Sequence, residues 1–126
     1  MTDLIARLEA AEAGSLDLSK AVMLSFGFTW RGLNYWNDAD EIWRGSGAVT
    51  ESIDAALVLA SRVLPGWEFG TYINRPDVNG RRFTKIEAHR WRDVGPEYAF
   101  ACASSKASTP ALALCAAILR AKGSDQ

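Results

Sequence analysis

Residues 108–123, STPALALCAAILRAKG, carry almost no polar face. Thr109 can cap the first free amides of a helix there, and Pro110 suits its first helical position. Leu112, Cys115 or Ala116, and Leu119 recur at helical spacing, and Lys122 followed by Gly123 makes a favourable end. A helix that is apolar nearly all round has to be clamped between other elements rather than laid on a surface. The rest of the chain must therefore supply its cover.

The preceding segments are read by periodicity and turn chemistry. Residues 3–13 form a short amphipathic helix, capped by Thr2 or Asp3, with Leu4, Ile5, Leu8 and Ala11 in one stripe and Gly14-Ser15 as its end. Residues 17–26 form a second, with Leu18, Val22 and Phe26 on one face and Gly27 as its stop. Residues 28–47 interleave Trp30, Tyr35, Trp36 and Trp43 with charged and amide side chains and hold neither period. Phe28-Thr29-Trp30 suggests a short strand; the remainder reads as loop, too aromatic to be disordered. Thr50 or Ser52 caps a third helix over 50–64, with Ile53, Leu57, Ala60 and Leu64 on one face and Pro65-Gly66 as its terminator.

Strand-like runs follow at 67–74, 82–92 and 97–103. Asn79-Gly80 favours a tight reversal after the first, and residues 93–96 are turn chemistry after the second. Two reversals in a row give an antiparallel meander. The second strand alternates, but neither face is purely apolar, which suggests an edge strand or a wet groove. Residues 104–108 lead into the final helix. Helices segregated from an antiparallel sheet give an α+β class. The expected architecture is one domain over 1–126, an antiparallel meander sandwiched between helices in α/β/α layers.

A chain of 126 residues, 48% hydrophobic and 23% charged, can bury a real core in one domain. A net charge of -1 gives no global field toward long nucleic acid or a membrane. No apolar run approaches the roughly 20 residues a span needs, and the acidic, amphipathic start does not read as a signal peptide. Cys102 and Cys115 fit a reducing cytoplasm, as small buried apolar residues rather than a disulfide.

Candidate chemistry is sparse. His89 is the one histidine, without a spaced metal-ligand set or a nucleophile partner, and reads as a half-exposed strand residue. Asp38, Asp40 and Glu41 lack the glycine and terminal glutamate of a calcium loop and read as solvated or paired with Arg44. Gly45-Ser46-Gly47 lacks the lysine of a phosphate loop. Neither a metal nor a cofactor is expected, and no catalytic residue is assigned.

Two features point to an anionic ligand. Lys106, Ser108 and Thr109 stand just before a helix N-terminus, where free amides and the dipole favour anions, although every helix needs a cap and ordinary capping is the favoured account of the hydroxyls. Trp30-Arg31, Trp43-Arg44 and Arg90-Trp91-Arg92 repeat a pairing of ring and guanidinium. Rings stack on bases and arginine forks hold phosphates. The competing account makes the tryptophans core and the arginines solvated stems over them. Sheet edges and abundant aromatics also lead us to expect self-association.

Residues 50–57 (TESIDAAL), Pro65-Gly66-Trp67, residues 109–117 (TPALALCAA) and the opening run 4–11 (LIARLEAA) resemble the small phage and prophage proteins of the phage ABA-sandwich domain family. The resemblance implies a sheet between helical layers and a phage or prophage gene; it brings no agreed activity and no catalytic residues. Residues 28–47 are longer and richer in tryptophan than that pattern. Phage genes of this size often oppose host defence, and by that analogy, together with the arginine and tryptophan pairs, the first reading is a non-catalytic sponge for a cyclic or ADP-ribose-derived nucleotide signal in the bacterial cytoplasm. A protein-interaction module using 28–47 is the alternative, since aromatics and arginine also anchor interfaces. A small hydrolase ranks last.

Overall fold

The computed structural model describes residues 2–31, 34–36, 42–43, 47–64, 66–76, 82–94 and 97–124. Helices α1 (Thr2–Ala10) and α2 (Leu16–Ser25) precede a hairpin of β1 (Thr29–Arg31) and β2 (Asn34–Trp36). Helix α3 (Ile53–Val63) leads into β3 (Glu68–Pro76), β4 (Arg82–Val94) and β5 (Glu97–Ala107), and α4 (Pro110–Ser124) closes the chain. The three long strands form an antiparallel sheet in the order β3-β4-β5, so the α+β class and the meander are as the sequence predicts.

Helix α4 is the element with partners all round. It packs on β4 and β5 and also against α1 and α3. All eight residues from Leu112 to Leu119 are fully buried. Thr109 caps it as expected: its hydroxyl accepts from the Leu112 amide at 3.3 Å and its carbonyl from the Ala113 amide at 3.0 Å. Lys122 does not end its own helix; its ammonium donates to the Val63 carbonyl at 3.3 Å and so caps the end of α3.

β4 is the central strand, not an edge. Thr84, Ile86 and Ala88 are buried on one face, and the alternate Lys85 and Glu87 satisfy each other in a 3.0 Å ion pair. β5 continues through Ala107, so Ser104, Ser105 and Lys106 pair with Glu87, Ile86 and Lys85 in the ladder instead of forming a lead-in loop.

The α1 and α2 stripes are as read: Ile5, Leu8, Leu18 and Val22 are buried. Helix α1 stops at Ala10, and Ser15 caps α2 rather than ending α1, its hydroxyl accepting from the Leu18 amide at 3.1 Å. Gly27, at φ 89°, ends α2. Its amide bonds the Leu24 carbonyl while that of Phe28 bonds Met23, the paired closure that a left-handed residue permits.

The face of α3 differs from expectation. Ala60 and Leu64 are buried, but so are Ala55, Ala56 and Leu59, whereas Ile53 and Leu57 are exposed. This helix is apolar at most positions, so periodicity does not fix its phase. The small alanines face α4 because they admit the closest approach of one helix to another. Ser52 is its cap, accepting from the Ala55 amide at 3.3 Å.

Thr50 has a different role. Its hydroxyl donates to the Ser15 carbonyl at 3.0 Å and accepts from the Ser15 amide at 3.2 Å. It lies 2.6 Å from the Ser19 hydroxyl, which accepts from the Thr50 amide at 3.1 Å. Gly14 lets these backbones meet, since a Cβ there would stand 1.9 Å from the Thr50 carbonyl oxygen.

Two stability outcomes follow from this packing. Truncating Leu112 or Leu119 to alanine should cost about 2–5 kcal/mol in chemical denaturation, the range for leucine cavities that cannot collapse. Thr50→Val keeps the shape but strands the Ser15 amide and carbonyl and the Ser19 hydroxyl. It should cost about 1–3 kcal/mol by the same measurement, and a neutral result would mean that the bonds of Thr50 to Ser19 and to the Ser15 backbone do not hold the start of α2 to the segment before α3.

Candidate functional site

The hairpin expected as mostly loop is built from ring contacts. Trp30 pairs across the strands with Tyr35, and their rings meet edge to face at 4.8 Å and 66°. Ile42 bridges back to Trp36, and the Trp43 amide donates to the Tyr35 carbonyl at 2.7 Å. The signal missed in the sequence is Trp30-Arg31-Gly32-Leu33-Asn34, where glycine opens a two-residue connection between strand-forming residues. Tyr35 is buried, which raises its phenol pKa. Its ring fits because position 47 is glycine: a Cβ there would come within 2.5 Å of ring carbon Cε2.

The rings divide into scaffold and surface. Trp43 is only 5% exposed and packs edge to face on Phe28 at 5.2 Å, with the Arg62 guanidinium 5.7 Å from its centroid. Trp30 is 44% exposed. Between them lies a cleft of about 220 Å³ lined by Leu16, Trp30, Asn34, Tyr35, Trp43, Gly47 and Ala48. Arg31, next to Trp30 in β1, holds its guanidinium 5.6 Å from the Trp36 ring and is not part of the cleft lining. The lining is aromatic and apolar, with Asn34 as its polar residue.

A second depression, of about 400 Å³, lies between Gly14, Thr50, Glu51 and Ile53 on one side and Thr109, Pro110 and Ala111 on the other. Here the expected anion contact is weakly equipped. Pro110 has no N–H, the Leu112 and Ala113 amides are already bonded to Thr109, and the Glu51 carboxylate stands at the rim.

The sequence candidates are thus distributed. Trp30 and Trp43 line one cleft, whereas Arg31 lies against Trp36. Thr109 lines the other, and Ser108, half-buried, precedes it. Arg90, Trp91 and Arg92 stand in the β4 ladder opposite Ala101, Phe100 and Ala99, and Lys106 stands opposite Lys85. The hairpin packs on α2 whereas the meander packs on α4, so these strands belong to separate layers. Arg44, Asp38, Asp40 and Glu41 lie outside the described residues. Among the described residues no three acidic, histidine or cysteine side chains gather as a metal set, and no helix is long and apolar enough to cross a membrane.

Cys115 is structural. Its Sγ donates to the Val49 carbonyl at 3.3 Å, and burial pushes its pKa up from 9.0 to about 12. Because the folded state holds this proton more tightly, the contribution to stability is complete below pH 9.0 and is lost as the pH climbs toward about 12. Tyr35, shifted in the same direction, adds to that loss. Peptide mapping after alkylation at mildly alkaline pH should leave Cys115 unmodified in the folded protein and label it after denaturation. Labelling of the folded protein at this residue would contradict the burial argument.

Comparison with family models, with curated proteins and with solved structures finds no match to this chain.

Proposed function

We propose that this is a non-catalytic binding protein that takes the flat ring of a phosphorylated nucleotide in the hairpin cleft. The observation that carries the reading is Trp30: nearly half-exposed, it is braced by Tyr35 on the wall of a cleft sized for one planar ring. Aromatic side chains stack on any base, at about 1–3 kcal/mol per base. Arg31, from the same strand, and Arg44, next in sequence to Trp43, are the cations assigned to the phosphates. The resemblance to phage and prophage proteins supports a setting in the bacterial cytoplasm, where such binding sequesters a cyclic or ADP-ribose-derived defence signal without cleaving it.

A second reading uses the same cleft for an aromatic or aliphatic anchor of a partner protein. Leu16 favours it, being 74% exposed on the cleft wall, where an apolar partner surface would cover it.

Calorimetry against cyclic dinucleotides, cyclic oligonucleotides and ADP-ribose derivatives separates the two. The nucleotide reading expects a binder that is recovered intact after denaturation. Trp30→Ala should weaken it by about 5-fold to about 150-fold, the equivalent of one stacked base. A panel in which nothing binds transfers the cleft to the protein-partner reading, and a cleaved product would make the chain an enzyme.

A further inference from the structure

Helix α3 turns Ala55, Ala56, Leu59 and Ala60 toward the core and leaves Asp54, Leu57, Val58 and Ser61 exposed. These four fall at i, i+3, i+4 and i+7, which is one continuous stripe of a helix surface. Leu57 and Val58 at its centre are 45% and 49% exposed. Two adjacent branched apolar side chains on an otherwise well-buried helix form a contact stripe, flanked by an acid in the first turn and a base, Arg62, in the last.

We infer that this stripe is a self-docking surface: two copies of the chain pair α3 against α3 in antiparallel fashion about a two-fold axis. Charge complementarity identifies the occupant. An axis passing between Leu57 and Val58 sets each Leu57 against Val58 of the partner subunit. The same axis brings Asp54 of one copy to the Ser61 and Arg62 end of the other, twice over. The pairing is isologous, as two-fold symmetry requires. It also lays the positive N-terminal end of each helix dipole beside the negative C-terminal end of its neighbour. A parallel arrangement would instead set Asp54 beside Asp54. Arg62 keeps its place over the Phe28 and Trp43 rings, 6.0 and 5.7 Å from their centroids, and its exposed side faces the acid. One helical stripe covers less than the roughly 800 Å² per partner of a stable interface, so the dimer is weak and builds up only with concentration.

The test is sedimentation equilibrium of the full chain over a concentration series, with melting curves as the control for folding. The wild type should move from monomer to dimer as concentration rises. Asp54→Arg and Arg62→Asp each set two like-charge pairs across the axis and should each raise the dimer dissociation constant at least about tenfold. Mixed one to one, the two variants regain both opposite-charge pairs, and the heterodimer should return to the affinity of the wild type. Leu57→Ser, which leaves every charge in place, should weaken the dimer without lowering the melting temperature. A wild-type chain that stays monomeric throughout overturns the proposal and leaves the stripe to another protein. Dimerisation of both single variants as strong as that of the wild type overturns the antiparallel pairing.

Discussion

A helix with eight consecutive fully buried residues imposes its needs on everything around it. Side chains spaced along more than two turns point in every radial direction, so no single neighbour can cover them. The chain meets the requirement with β4 and β5 of the meander, α1 and α3. Each buried leucine or isoleucine contributes about 1.5–3 kcal/mol from removal of apolar surface. The five alanines between Ala111 and Ala121 contribute differently, by letting neighbouring backbones come close. Helix α3, which packs on α4, likewise buries Ala55, Ala56 and Ala60. Cys115 belongs to the same logic: its thiol fills a small space and donates its one proton to the Val49 carbonyl.

The second constraint is polar. Helix α3 packs on α4, and the chain before it meets the chain before α2 through amides, carbonyls and hydroxyls. The Thr50 hydroxyl accepts from the Ser15 amide and donates to the Ser15 carbonyl, the Ser19 hydroxyl lies against it and accepts from the Thr50 amide, and the Ser15 hydroxyl accepts from the Leu18 amide. Such a cluster tolerates no half measure, because a buried polar group without its partner costs more than the bond itself provides. Gly14 is the steric condition for it.

The sequence was most readable where one code dominates. The cap, proline and unbroken apolar run of α4 led directly to its burial, and Asn79-Gly80 with the 93–96 turn led to the meander. Periodicity gives helix α3 the wrong phase because its apolar residues surround it; only the packing partner decides which of Leu57 and Leu59 is buried. β4 reads as a possible edge because its second face is polar, and periodicity alone cannot reveal that Lys85 and Glu87 pair there. The tryptophans show the same limit at the candidate site. Trp30 and Trp43 are both followed by arginine and both line the cleft, yet one is 44% exposed and the other is a core residue. What separates them is the bridge of Ile42 to Trp36 and the Trp43–Tyr35 hydrogen bond, contacts between segments with no periodic signature.

This division of labour gives the hairpin its capacity to bind. Trp43 is locked by Phe28 on one side and Arg62 on another, Tyr35 by the absence of a side chain at Gly47, and Phe28 by the turn that ends α2. Each anchor joins the hairpin to a different part of the body: α3, the segment before α3, and α2. Trp30 leans on Tyr35 and so takes its orientation from that base rather than from its own short strand. A ring held in this way loses little rotamer freedom when it is stacked upon, and preorganisation of this kind keeps binding energy from being spent on ordering the site. A lone exposed tryptophan on a three-residue strand would lack this advantage. The buried aromatics are therefore part of the recognition surface in an indirect sense: they are the reason one ring can be left in solvent and still present a defined face.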